Sequence, residues 1–311
     1  MATRPVHLTV AQRLSTVIGR RRSPRANRIL LAYVLIAPAI IWRGAVAVYP
    51  FVHTILLSFT NSSPLSAVTH WIGLRNFTDM FSDPDIRQTL AFTAIFTVAS
   101  TSLQLIYALG IASLLNHAFR GRMLIRAVNL LPWAMPAIVI ATASQWMFNQ
   151  QYGMIDDMIS RILPFRPVWL ANPGTARLAV ILLDTWKNAP WASIILLAGL
   201  QNIPGDVYEA AKLDGASAFR TFRSVVVPML APILITLAIF IATARVLTFD
   251  IVYGLTQGGP GTSTSLLAYQ VYKLAFSGLY YGYSAAVAVF AFLIVLVISL
   301  VGFVFLRRTS I

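Results

Sequence analysis

Asp184 to Ser193 read DTWKNAPWAS, inside an otherwise apolar stretch. A carboxylate, an ammonium, an amide and two indoles thus fall within a few turns of chain. Asp184 and Lys187 are three apart, so on a helix they share a face and can pair. Trp186, Asn188 and Trp191 cluster beside Pro190, which interrupts a helical hydrogen bond. Aromatic rings stack on the apolar faces of sugars, while amides and charges bond hydroxyls. Such a set suits the wall of a polar cavity for a neutral sugar. It also suits a self-neutralised pair beside an interfacial aromatic belt. Depth weakens the belt reading, since Trp186 lies about nine residues into its segment, or about 14 Å at 1.5 Å per residue. Arg245 stands in a later apolar run, where a charge near the centre costs roughly 2.5 to 3.5 kcal/mol. It can bond hydroxyls, or pair with Asp184 or Asp250. Arg43 is a further charge inside an apolar run, and nothing in the sequence gives it a role.

The elements that hold these residues are membrane spans. Of 311 residues 58% are hydrophobic and 11% charged, with mean hydropathy +0.73. Soluble chains carry about 25% charged residues, so a polytopic membrane protein is expected. Six apolar segments, near 29–50, 89–115, 127–148, 177–200, 226–248 and 283–306, each approach the ~20 residues that cross a bilayer. Pro132 and Pro136 bend the third. The expected fold is all-α and integral to the membrane. Residues 1–28 form a basic tail with Arg4, Arg13, Arg20, Arg21, Arg22, Arg25 and Arg28, and residues 29–311 a single transmembrane domain. The net charge of +14 could suggest nucleic acid. The basic residues, however, flank the apolar runs, which is the pattern of membrane topology. Fifteen Lys and Arg fall in the tail, the second and fourth connections and the C-terminal end, against five in the alternate connections. That excess puts both termini in the cytoplasm.

Between the fourth and fifth segments runs EAAKLDGASAFRTFRSVVVP, from Glu209 to Pro228. Asp206 and Glu209 have capping-box spacing. Gly215 stands where a short helix must turn, because glycine turns there without a side-chain penalty. Two short helices lying across the membrane face, joined at Asp214-Gly215, are expected over about 205–223. An ordinary amphipathic surface loop would show the same composition.

Glu209, Ala210 and Ala211, then Gly215, then Pro228 together resemble the cytoplasmic coupling loop of ABC importer permeases. In that family the loop docks into a cleft on an ATP-hydrolysing subunit. The charge count puts this loop in the cytoplasm without using the motif. The resemblance implies coupling roles for Glu209, Ala210, Ala211, Asp214, Gly215, Phe219 and Phe222. It extends over nearly the whole chain to the sugar-specific, maltose/trehalose-type branch. There the sugar site lies on the spans flanking the loop. Counting from Glu209, the matching positions are Trp186, Lys187, Asn188 and Trp191, then Ile241, Ala244, Arg245 and Thr248, with Asp184 added from its own chemistry. Arg245 stands where that branch carries an amide, which bears on which sugar fits. The implied substrate is a disaccharide, with trehalose first. The implied partners are a second homologous permease, two ATP-binding subunits and an extracytoplasmic sugar-binding protein. ATP and Mg would sit on the ATP-binding subunits, with no cofactor or metal on this chain.

The connections expected outside carry a short amphipathic helix at 71–81 and LTQGGPGTSTSLLAYQVYKLAF at 255–276. Gly258, Gly259 and Pro260 match a turn that recurs outside the membrane in that branch, which implies contact with the binding protein; a plain connecting turn reads the same way. None of Lys187, Lys212 and Lys273 follows a phosphate-binding glycine loop, so no ATPase site is expected. His7, His53, His70 and His117 have no metal-ligand spacing, and with no Cys thiolate chemistry is excluded. An ion-gradient-driven carrier is the alternative. It would need titratable groups in mid-membrane, and Asp184 is the one acid well inside a span.

Overall fold

The computed structural model describes residues 24–162 and 167–309. Arg4, Arg13, Arg20, Arg21 and Arg22 of the expected basic tail, with His7, Pro164 and Arg166, lie outside the described residues. Helix is described from Pro24, within the 1–28 stretch expected as the tail. Proline fits a first helical turn, where its missing N–H would have no partner anyway.

The described residues fall into two compact units, divided between His53 and Thr54. In the first, α1 (Pro24–Arg43) passes through a π-type turn at Gly44–Val48 into α2 (Tyr49–Leu57), whose last residues belong to the second. Its apolar side chains stand exposed around the helix, with Leu35 70%, Ile41 69% and Trp42 71% accessible. Such a surface suits lipid, where a helix satisfies its own backbone groups.

The second unit is helical, with a single antiparallel bridge, Thr60 to Trp71, as the only extended pairing among its described residues. After α3 (Arg75–Ser82) come α4 (Pro84–Asn116), α5 (Arg122–Ala134), α6 (Ala137–Met147), α7 (Met154–Ile162) and α8 (Pro173–Gln201). Then follow α9 (Gly205–Leu213), α10 (Ala218–Thr221), α11 (Val227–Val246), α12 (Asp250–Leu255), α13 (Leu267–Tyr272) and α14 (Tyr281–Thr309). Helix α3 covers 75–82 of the short helix expected over 71–81.

By length and composition four helices among the described residues can cross a membrane, Leu31–Leu57, Pro84–Asn116, Ala218–Val246 and Tyr281–Arg307. A fifth span is obtained if α5 and α6, bent by 94°, count as one. The bend falls at Met135-Pro136, where proline pushes the preceding residue out of helix. The expected fourth segment, α8, is 29 residues long, but Asp184, Lys187 and Asn188 lower its apolarity. It is the most internal of the long helices, with Ala176, Ala179, Val180, Asp184, Ala189, Ala192 and Leu196 buried.

The most extensive packing is that of α4 on α8. Thr89, Thr93, Thr97, Ser100 and Gln104 recur every three or four residues on one buried face of α4. Ala108 and Ala112 of α4 share a cluster with Ala192 of α8, and small side chains of this kind let two helices approach closely. Helix α11 closes the other side, packing on α4 and α14. One apolar cluster joins Ala108, Leu196, Leu230 and Ile241 near the elbow; another joins Phe92, Val180, Leu255 and Leu266.

Candidate functional site

Asp184 is fully buried near the middle of α8. Gln104 Nε2 of α4 donates to Asp184 Oδ2 at 2.8 Å, and Asn188 Nδ2 donates to Oδ1 at 2.9 Å. Arg245, from α11, completes the set as an ion pair with Oδ1. A buried carboxylate needs compensation of this kind, from a paired charge and from donors to its remaining lone pairs. The pair expected from spacing alone, Asp184 with Lys187, does not form. Lys187 Nζ instead donates to the Trp133 carbonyl on α5 at 3.4 Å. Of the two partners open to Arg245, Asp184 is the one it takes.

A second polar chain adjoins this one. Tyr107 hydroxyl donates to Asn129 Oδ1 at 3.0 Å, Asn129 Nδ2 donates to Ser193 Oγ at 3.0 Å, and Ser193 Oγ donates to the Pro190 carbonyl at 2.6 Å. Trp191 sits 5.2 Å from the Phe240 ring, joining α8 to α11 by aromatic contact. Trp186 is 48% exposed, on the α8 stripe that also carries Leu178 and Leu182. Asn188, Ala244 and Thr248 are half-buried, and Ile241 is enclosed in the apolar cluster. Of the α8 and α11 residues named from sequence, Asp184 and Arg245 meet directly, while Trp191 reaches α11 at Phe240, which was not named. Gln104, Tyr107, Asn129 and Ser193 were not anticipated. Their signal was an amide or hydroxyl set inside an apolar run, at positions that only helix packing makes adjacent.

The elbow lies between α8 and α11. Helix α9 ends in a Schellman motif, with Gly215 N–H on the Lys212 carbonyl and Ala216 N–H on the Ala211 carbonyl, each at 3.0 Å. Gly215 has φ +71°, a conformation that glycine reaches freely. Helix α9 starts at Gly205, so Asp206 is in its first turn and is not the N-cap. Ser217 caps α10, its Oγ accepting from Arg220 N–H at 3.3 Å. The expected second short helix does not end before the span. Helix α10 continues through a π-type turn, Phe222–Val226, into α11, with Val227 N–H bonded to the Phe222 carbonyl. Glu209, Ala210, Asp214, Gly215 and Phe219 are exposed. Phe222 is half-buried against the apolar cluster, and Ala211 is buried. Leu213, not singled out from sequence, is 89% exposed, and Phe219 71%. These two are the elbow's most exposed large apolar side chains, whereas Phe222 packs partly against the cluster.

The Gly258-Gly259-Pro260 turn packs at the other end of α8. Arg177 Nε, near the start of α8, donates to the Ser263 carbonyl at 2.8 Å, and Thr262 hydroxyl donates to Gln88 Oε1 at 2.7 Å. Gly258 has φ +79°, and a Cβ there would meet Tyr269 Cε1 at 2.7 Å. Gly258 is buried, while Gly259 and Pro260 are half-buried and Gln257 and Gly261 exposed. The turn thus spends its backbone on closing the end of the bundle. Helix α8, about 43 Å long at 1.5 Å per residue, separates it from the elbow.

Residues 104–311 match the model of the binding-protein-dependent transport system inner membrane component. The chain belongs to that family. It is therefore a multi-pass protein of the inner membrane, and its helices agree. Among its relatives, a trehalose/maltose transport system permease protein of Thermococcus litoralis is 37% identical over 87% of this chain and 92% of its own length. A sulfoquinovosyl glycerol transport system permease protein of Agrobacterium fabrum is 36% identical, over 85% and 86%. The fold of this family member matches a chain of a bacterial ABC transporter that imports the acidic polysaccharide alginate. There the TM-score is 0.79 at 22% identity, over 95% of this chain and 99% of the other. A second structure, that alginate transporter with an alginate pentasaccharide-bound periplasmic protein, gives the same score and identity over 95% and 98%. The family's membrane component thus carries here a buried polar cluster midway between an exposed elbow and a closed turn.

Proposed function

We propose that this chain is the permease subunit of an ATP-driven importer of a sugar, with a neutral disaccharide such as trehalose as substrate. The observation that carries the reading is the 37% identity to a trehalose/maltose permease along 92% of that relative. The polar cluster agrees with it. Trp186 offers an exposed ring, and Arg245 keeps N–H donors beyond the one it gives to Asp184, on two helices that flank the elbow. In this reading the elbow faces the cytoplasm and docks on one of two ATP-binding subunits, with Leu213 and Phe219 as apolar contacts and Glu209 and Asp214 as charged ones. A second permease completes the path, and an extracytoplasmic binding protein delivers sugar at the opposite end. The alginate transporter's complex with a periplasmic protein supports that arrangement by its fold alone.

Closure of the ATP-binding subunits would push on α10, which carries Phe219. Because α10 runs unbroken into α11, and Asp184–Arg245 ties α11 to α8, the push reaches the cluster without crossing a flexible joint. The ion-gradient carrier gains no support, since Asp184 is already held by three donors.

The test is to co-purify the chain with its partners and measure ATP hydrolysis and vesicle uptake. Trehalose, maltose and sulfoquinovosyl glycerol should be compared, each with binding protein. Hydrolysis stimulated by trehalose or maltose is expected. Uptake that follows a proton gradient and ignores ATP depletion would overturn the reading, and a preference for the sulfonated sugar would replace the substrate.

A further inference from the structure

Behind the elbow lies a cavity of about 520 Å³, within the range of small-molecule sites. The end of α4 forms one side, with Asn116 and His117. The elbow forms the other, with Tyr208 and Lys212 of α9 and Thr221 of α10. Tyr208 and Lys212 are four residues apart, so one face of α9 turns to the cavity. Phe222 adds an aromatic ring to the lining.

Among the described residues, the side chains of Asn116, His117, Tyr208, Lys212 and Thr221 make no hydrogen bond or ion pair. Their polar atoms are nonetheless reachable. None belongs to the enclosed unpartnered groups of the fold, and His117 and Lys212 are exposed. An amide, a phenol, a hydroxyl and an ammonium thus converge, unpaired, on one open space. Lys212 is the one permanently charged residue of the lining, and no carboxylate stands there among the described residues. A lysine ammonium binds phosphate as a point charge. Asn116, Tyr208 and Thr221 can each donate to a hydroxyl or accept from one. The rings of Phe222 and Tyr208 suit the apolar face of a sugar. A phosphorylated sugar offers all three kinds of surface at once.

We propose that this cavity binds a phosphorylated sugar from the cytoplasm and that its occupation restrains the elbow. The inference rests on the transport reading above, in which the elbow faces that compartment. A ligand here bridges α4 to α9 and α10. It favours the elbow position seen in this structure over one displaced by closure of the ATP-binding subunits. Such differential binding is what lets a ligand shift an equilibrium. Phosphoryl transfer to the imported sugar is the class of reaction that would supply the ligand. The site would then limit import when that product accumulates.

The test uses the assembled transporter in nanodiscs. Labelled glucose-6-phosphate is titrated by equilibrium dialysis without nucleotide, beside glucose and inorganic phosphate. Saturable binding of the sugar phosphate is expected, roughly tenfold tighter than either control. Lys212→Gln should weaken it roughly tenfold, and Asn116→Leu, on α4 and off the elbow, roughly threefold. Lys212→Arg should keep most of it. Arg220→Gln removes an elbow cation that does not line the cavity, and should leave binding unchanged. With binding protein and trehalose present, the sugar phosphate should lower ATP hydrolysis in the wild type. Lys212→Gln should need roughly tenfold more of it for the same effect. Linkage works in both directions, so trapping the ATP-binding subunits closed with vanadate should weaken binding of the sugar phosphate. Equal binding by wild type and Lys212→Gln overturns the proposal. So does inorganic phosphate that binds as tightly as the sugar phosphate, since the sugar is then not read. Binding that vanadate leaves unchanged overturns the restraint on the elbow. No binding in a wild-type complex whose hydrolysis trehalose or maltose stimulates overturns the site itself. Failure of the transport reading is recognised separately, from wild-type hydrolysis that neither sugar stimulates.

Discussion

At the scale of single residues, Asp184 and Arg245 form a unit whose parts are not worth much separately. Asp184 is fully buried, and the Arg245 side chain is 12% exposed. Removing one partner leaves an uncompensated charge, at a cost of about 3 to 5 kcal/mol, whereas replacing both by uncharged groups is often neutral. Arg245→Met is therefore expected to lower the thermal midpoint of the purified complex sharply. Asp184→Asn combined with Arg245→Gln should recover most of it. The double variant then separates stability from chemistry, because restored folding with lost uptake would mark the pair as sugar-contacting. Equal midpoints for wild type and Arg245→Met would show that the pair is not a structural tie. Gly215 is a second such residue. Nothing lies within 4 Å of a Cβ built there, so the penalty of a side chain is conformational, about 1 kcal/mol for alanine. Gly215→Asn should keep most uptake, while Gly215→Pro, which cannot adopt positive φ, should abolish uptake with insertion intact. Normal uptake by Gly215→Pro would show the elbow is not a coupling element.

At the scale of elements, the elbow works as a short helix, a glycine turn and an uninterrupted run from α10 into α11. That continuity makes α10 the end of a lever and not a free helix. It also sorts the two phenylalanines by what they touch. Phe219 faces out, and Phe222 packs with Leu196, Leu230 and their neighbours. Leu213→Asp and Phe219→Ala are expected to reduce co-purification with the ATP-binding subunit without moving the chain's own thermal midpoint. Phe222→Ala should do the reverse, with a loss of about 3 kcal/mol or somewhat less for a half-buried ring. The opposite assignment of the two effects would mean that the docking surface lies on the inner side of α10.

At the scale of the whole molecule, α8 and α4 are the shared spine. Both run from the Gly258–Gly261 turn to the elbow, and their polar positions meet midway at Gln104 and Asp184. Orientation in the membrane is open to a direct measurement, because the chain has no cysteine. Single cysteines at Leu213 and at Gln257, both exposed, can be labelled with a membrane-impermeant maleimide in intact cells and in inverted vesicles. Leu213→Cys should react only in inverted vesicles and Gln257→Cys only in cells. The reverse pattern would put both termini outside and remove the elbow from any cytoplasmic motor.

Much of this was legible in the chain itself, where the relevant physics is local. Lipid-scale apolar runs, the Pro136 bend and the turn at Gly215 each depend on residues within a turn or two, so hydropathy and backbone preference determined them. The sequence alone could also say that Asp184 and Arg245 need partners, since a charge in an apolar segment is costly wherever it stands. It could not choose them. Asp184 binds across 61 residues to Arg245 and 80 to Gln104, while Lys187, the nearer cation, turns to α5. Only helix packing decides which faces are opposed, because side-chain periodicity fixes a residue's face and leaves open what that face meets. The inward turn of Phe222 and the closure of the Gly258 turn beneath Tyr269 belong to the same class. Each depends on how helices distant in sequence come to rest against one another.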